Sequence, residues 1–152
     1  MKTNLSVNKQ AGVLLLEALI AILLFSIGIL AVVGLQANAI KNVAQSKYRS
    51  EAALLADQLV GEMWANRTNL ALYAYASGSP PPVLKSWVAQ TDLLPNGKAY
   101  RPIVTVAGTP GVGPSPYTSF QISVTVFWQT PDELAAKAVP HSHMTTAVIP
   151  CC

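Results

Sequence analysis

From Val13 to Leu35 the chain reads VLLLEALIAILLFSIGILAVVGL, an apolar run with a single charge, Glu17. As an α-helix this stretch is about 35 Å long, enough for a hydrocarbon layer of about 30 Å. A helix buried in a protein core needs one apolar stripe, not apolar residues on every face, so the segment predicts a membrane span. Before it lies MKTNLSVNKQAG, a polar leader with two lysines and no acid. The whole chain has 152 residues, which leaves room for one small domain beyond the span.

Composition narrows the classes further. Only 11% of residues are charged, against about 25% in ordinary soluble proteins, and the 51% apolar content is inflated by the one segment. Disordered and nucleic-acid-binding chains need denser charge. Ten Lys+Arg against seven Asp+Glu, net +3, defines no partner. The two cysteines, Cys151 and Cys152, are neighbours and cannot staple a core, since a bond between adjacent residues is strained.

Three readings of the span compete. A secretory signal peptide could be cut at Ala37-Asn38-Ala39, but its apolar region should run only about 7–15 residues. A plain signal anchor is the second. The third is a leader removed ahead of the apolar stretch, which then becomes the mature N-terminus. Two lysines precede the span and Lys41, Lys47 and Arg49 follow it, so loop charge does not set orientation. Glu17 favours the third reading. An acid inside a span costs about 2.5–3.5 kcal/mol on insertion scales and calls for a partner. It lies one helical turn beyond Gly12-Val13, and a free amine created there, with a pKa of about 7.7–8.0, would be a fitting cation.

The helical pattern continues past Leu35. Ile40, Val43, Tyr48, Ala52, Leu55, Leu59 and Met63 recur at spacings of three to five, an apolar stripe on one face. No proline interrupts Val13 to Ala65, and Asn66 reads as the helix end. Gly28, Gly34 and Gly61 are candidate bending points, and two helices broken near residues 34–38 are the alternative. Unbroken, the helix would be about 80 Å long.

The second half changes character. Residues 77–82, SGSPPP, predict a loop, Pro95-Asn96-Gly97 a turn, and residues 108–116 a long Pro/Gly loop. Strands are expected over Ala99–Val106, Thr118–Gln129 and Met144–Ile149. In the middle one Phe120, Ile122, Val124, Val126 and Trp128 alternate with Gln121, Ser123, Thr125, Phe127 and Gln129. That is an antiparallel strand buried on one face and wet on the other. About 87 residues after the helix are too few for a robust core of their own. Leu55, Leu59 and Met63 are therefore expected to cover the Phe120–Trp128 face. The fold class is α+β, a long N-terminal helix packed on a small antiparallel sheet.

Catalytic signals are absent from the motif survey. The glycines at 108, 111 and 113 are packed with prolines and open no helix, so they read as a surface loop rather than a phosphate cradle. His141-Ser142-His143 followed by Cys151-Cys152 is the one ligand-like cluster, but it lacks the usual two-residue ligand spacing and reads as a solvated, strand-adding tail. Lys47 and Arg49 are expected to be solvated or paired with acids such as Glu51. No metal, cofactor, enzymatic activity or nucleic-acid partner is expected.

Gly12, then Val13-Leu14-Leu15-Leu16-Glu17 and an unbroken apolar helix, resemble the processing motif of type IV pilins. Val13 stands where phenylalanine or methionine is commoner. The resemblance implies that a prepilin peptidase cuts after Gly12 and that the new amine, on Val13, is methylated. Glu17 would then set the assembly register by meeting a neighbour's terminal amine. Residues 26–30 (SIGIL), 34–36 (GLQ), 48–52 (YRSEA), Leu55-Ala56, 63–66 (MWAN) and 124–128 (VTVFW) look more particularly like PilV-type minor pilins, the type IV pilus modification proteins. The organisation implied is a leader over 1–12, a membrane and filament-core half over 13–35, an amphipathic half over 36–66 and a β head over 67–152. The function implied is that of a structural subunit which primes type IV pilus assembly at the filament tip. Its implied location is the bacterial inner membrane, head in the periplasm, and afterwards the filament. Its implied partners are other minor and major pilins, the prepilin peptidase, the inner-membrane assembly platform and a tip adhesin. Pseudopilins of type II secretion systems share residues 12–17 and the helix, and a DNA-uptake pilin is a further alternative.

Overall fold

The computed structural model describes residues 11–111 and 117–150. Residues 1–10 of the expected leader over 1–12, most of the Pro/Gly loop and both cysteines lie outside them, as does the side chain of Ala11. One α-helix, α1, runs over Ala11–Ala65 without a break. It matches the sequence expectation to the residue at its C-terminal end, and neither Gly28, Gly34 nor Gly61 interrupts it. The chain divides into two compact units between Ala44 and Gln45.

The described residues of the first unit are all helix. Every residue from Val13 to Val43 is exposed, the large apolar ones included. Ile40 and Val43, expected on the apolar stripe, are exposed too; they belong to this unit, which has no covering layer among its described residues.

The second unit holds the core. Strands β1 (Ile103–Pro110), β2 (Tyr117–Trp128) and β3 (His141–Pro150) form one antiparallel sheet in the order β1-β2-β3. In β2 the residues Ile122, Val124, Val126 and Trp128 are buried and Phe120 is half-buried, the face the alternation predicts. Ala52, Ala56, Leu59 and Met63 of α1 are fully buried in the same core, with Tyr48 and Leu55 half-buried beside them. Their spacing of four, three and four residues keeps them on one side of the helix.

A third contribution to the core comes from residues 67–91, for which the sequence pattern predicts no helix. Residues 67–73 form a 3₁₀ segment that buries Leu70 and Tyr73, Pro82–Leu84 form another, and a short helix α2 (Lys85–Thr91) buries Trp87 and Val88. The expected loop over 77–82 thus yields its last residue to a 3₁₀ turn, for which a leading proline is suited. Trp87 donates its indole N–H to the Leu55 carbonyl oxygen at 2.8 Å, anchoring α2 to α1. Tyr73 donates to Glu62 Oε1 and accepts from Asn66 Nδ2, both at 3.2 Å, which fixes the chain where α1 ends.

Two strand boundaries are corrected. β1 spans Ile103–Pro110 rather than Ala99–Val106, because the amides of Ala99 and Tyr100 are still bonded to Asn96 in the preceding turn and Pro102 has no N–H to give a ladder. Gly108, Thr109 and Pro110 consequently belong to the sheet and not to the loop, with a register shift at Thr109/Pro110. β3 begins at His141, three residues earlier than expected. Gln129, expected on the wet face, is buried. The strand ends at Trp128, and the Gln129 side chain bonds the Ala138 carbonyl and Asn96 while its amide bonds Pro95. The turn at Pro95-Asn96-Gly97 is present, with Asn96 at φ 58°, a left-handed conformation asparagine tolerates. A Cβ on Gly97 would run into the Thr91 carbonyl oxygen.

Leu59 makes this dependence of sheet on helix testable. Leu59→Asp buries an unpaired carboxylate and should destabilise the head by about 3 kcal/mol or more. Leu54→Asp, at a position 67% exposed on the same helix, should change stability by less than about 0.5 kcal/mol. Thermal melts followed by circular dichroism separate the two, and equal melting temperatures would show that α1 is not the cover of the sheet.

Candidate functional site

In the first unit the site is a surface rather than a pocket. Gly12 and Val13 lie in the first turns of α1, with Val13 68% exposed, and Glu17 is exposed one turn further on. The large apolar side chains from Leu14 to Leu35 are exposed to solvent. Helix α1 is long and apolar enough to cross a membrane by length and composition. A Cβ added at Gly28 or Gly34 would meet nothing, so neither glycine is required by packing within the chain. Leu24, Phe25, Gly28, Ile29, Val32, Val33 and Gln36 line a shallow apolar groove around Gly28.

The head-packing residues read from the sequence do come together. Leu59, Met63, Ile122, Val124, Val126 and Trp128 are one buried cluster, with Leu55 and Phe120 packed at its margin. Lys47 lies 3.7 Å from Glu51, the pairing expected for it.

A polar cluster at the start of the second unit was missed. Gln45 of α1 donates through Nε2 to Glu133 Oε1, lies 3.3 Å from His141 Nε2, and accepts from the Trp128 indole at 3.4 Å. Glu133 sits in helix α3 (Pro131–Ala135), His141 opens β3, and Trp128 closes β2. Glu133 also receives the Thr130 amide at 2.9 Å, as half of a capping box in which Thr130 caps the Glu133 amide in return. His141 Nε2 is 2.7 Å from Glu133 Oε1, and its ring stacks on Trp128 with centroids 5.6 Å apart. One glutamine therefore ties α1 to three separate elements. The sequence signal was present: Thr130-Pro131-Asp132-Glu133 has Thr and Glu three apart with proline at the first helical position.

This cluster holds the Glu133 carboxyl down at about 2, from an ordinary 4.5. Burial pushes it up, and the His141 hydrogen bond, the Thr130 amide and hydroxyl and the His141 charge together outweigh that. His143 lies 3.2 Å from the Thr145 hydroxyl, which in turn donates to Asp57 at 3.1 Å. Among the described residues no three His, Cys, Asp or Glu side chains come together to hold a metal. The expectations for Cys151 and Cys152 fall outside those residues.

No family model, curated protein or solved structure matches the chain.

The lowered Glu133 value makes a pH prediction with a definite sign. A carboxylate titrating lower in the folded state stabilises that state above its unfolded value, and the contribution is lost as pH falls through the folded value. The stability lead of the parent over Glu133→Gln should be full above pH 4.5 and vanish by about pH 2. Melting temperatures of both proteins across that window check it. A lead that persists or grows at pH 2 would show that Glu133 does not titrate this way.

Proposed function

We propose that this protein is a minor pilin of the type IV class, a non-enzymatic subunit cut after Gly12 and assembled into a filament through α1. The observation that carries the reading is the division of one unbroken helix. Residues 13–43 are exposed all round with the single acid Glu17 among residues 13–35, whereas the stripe from Ala52 to Met63 lies in the core beneath a three-stranded sheet. An α+β head on the C-terminal part of a long apolar helix is also the architecture that the motif at Gly12–Glu17 implies.

The mechanism follows from what surrounds the exposed half. In the inner membrane, with the head in the periplasm, lipid satisfies the apolar surface of residues 13–35. In a filament the corresponding helices of neighbouring pilins satisfy it equally, so transfer from one to the other changes little apolar exposure. Apolar contact alone does not specify an axial register, because sliding by one turn replaces one set of aliphatic contacts with another. Glu17 supplies the discrimination. In the membrane its carboxylate, near the cytoplasmic boundary, reaches water by snorkelling. Inside a filament it needs a cation, and the terminal amine of an adjacent subunit is the one the motif makes available. Opposite charges 4 Å apart attract by about 4 kcal/mol at an effective dielectric near 20, comparable with the penalty for burying the acid. The pair thus adds little net stability and chiefly penalises every register that leaves one charge unmatched.

Two measurements test this. Mass spectrometry of protein from the producing cell should find a mature chain beginning at Val13 with a methylated amine. A chain beginning at Ile40, or one retaining Met1, would overturn the reading. Glu17→Val, expressed without the native copy, should be cut normally and remain in the membrane yet be absent from sheared filaments. Normal abundance in filaments would remove Glu17 as the register device.

A further inference from the structure

The two edges of the head's sheet are not alike, and the difference can be read residue by residue. On the β1 edge Tyr75 and Val104 exchange backbone hydrogen bonds of 2.9 and 2.7 Å. Val104 therefore turns its N–H and C=O away from β2. Bonding direction alternates along an antiparallel strand, so Ile103, Thr105 and Ala107 are the β1 residues bonded to β2, opposite Thr125, Ser123 and Gln121. The alternate residues of β2, from Phe120 to Trp128, then bond β3 at Ile149, Ala147, Thr145, His143 and His141. By the same alternation Ser142, Met144, Thr146 and Val148 direct their N–H and C=O groups to the outer edge. Pro150, which has no N–H, falls at an outward position too, the place where a strand tolerates proline.

Nothing among the described residues bonds those outward groups. The β1 edge is blunted by Tyr75, by the register shift at Thr109/Pro110 and by Pro110 itself. Before its terminal Pro150, β3 has none of these devices: it pairs with β2 over ten consecutive residues without a bulge and contains no Lys, Arg, Asp or Glu. Met144 and Val148 stand 61% and 60% exposed on its outer face. Long uncharged edges are normally protected against pairing.

At the N-terminal end of this edge lies a cleft of about 420 Å³ lined by Gln45, Ser46, Arg49, Trp128, His141 and Ser142. Ser142 belongs both to the cleft and to the outward-directed set. The lining offers a guanidinium, an imidazole, two hydroxyls and an amide, but no carboxylate; Glu133 engages His141 and Gln45 without lining it. A strand added antiparallel to β3 would bring its own C-terminal end to this cleft.

We propose that the β3 edge and the Arg49–His141 cleft together take up an extended segment of another protein, antiparallel to β3, alternately apolar and ending in a carboxylate. Backbone pairing with Ser142, Met144, Thr146 and Val148 supplies affinity, side chains beside Met144 and Val148 supply apolar contact, and Arg49 fixes the register through the carboxylate. Over residues 141–150 a second copy of β3 would bring no acidic side chain to Arg49. The site is independent of how the chain is processed or assembled.

The test uses the full chain in detergent micelles and a displayed library of random ten-residue segments with free C-termini. Enriched peptides should alternate apolar residues and end in an acid or in the chain terminus, and amidating the terminus distinguishes the two carboxylate sources. Arg49→Glu should weaken them by about tenfold or more. Thr146→Pro removes an outward N–H while leaving the β2–β3 ladder whole, so it should abolish binding without lowering the melting temperature. If that variant unfolds, Arg49→Glu and amide exchange decide: the amides of Ser142, Met144, Thr146 and Val148 should exchange fast in the free protein and slowly with peptide bound. Failure to enrich any sequence, enrichment of basic peptides, or equal affinity for parent and Arg49→Glu would overturn the proposal. Self-association abolished by Thr146→Pro would overturn it as well, by giving the edge to a second copy.

Discussion

The burial of one sheet face against one helix stripe underlies the rest of this head. Three strands with an apolar face cannot hold that face in water, and Ala52, Ala56, Leu59 and Met63 are what replaces the water. The short elements over residues 67–94 close the remaining perimeter, with Trp87 bonded to the Leu55 carbonyl oxygen as their anchor. The helix has two faces of work along its length. Over residues 45–65 it is an internal wall of the head, while over residues 13–44 it offers the same kind of side chain to whatever lies outside.

A polar cluster marks where the chain enters the second unit. Gln45 donates to Glu133 and lies beside His141 through its amide nitrogen, and accepts from Trp128 through its oxygen, so one side chain holds elements that are far apart in sequence. An alanine there would leave the Trp128 indole and part of the Glu133 carboxylate without those partners. Helix propensity alone gives no reason for a glutamine at that position; the geometry of three converging elements does.

Much of this architecture is legible in the sequence because it rests on periodicity. The absence of proline from Val13 to Ala65, the alternation from Phe120 to Trp128 and the spacing from Ala52 to Met63 each have a direct structural counterpart. What escaped reading has a shared physical cause. Helix α2 and the 3₁₀ segments are too short for a period to show, and α2 has no side-chain cap to mark its start. The start of β1 is set by the turn bonds to Asn96 and by Pro102, not by the β-branched residues around it. The Gln45 cluster depends on contacts between residues 45, 128, 133 and 141, and no local pattern encodes a meeting of that kind. Only the capping box at Thr130–Glu133 left a local trace.

The position of the stripe in the chain also sets the order in which the head can be completed. Ala52–Met63 precedes its covering strands by the whole length of the intervening turns, so an N-to-C emerging chain presents these side chains before β2 and β3 exist to meet them. Helix can form locally and early, whereas the sheet contacts close long loops and come late. During that interval the stripe is an adhesive surface on an otherwise finished helix. It stays uncovered until Ile149 reaches Phe120 and the last strand joins.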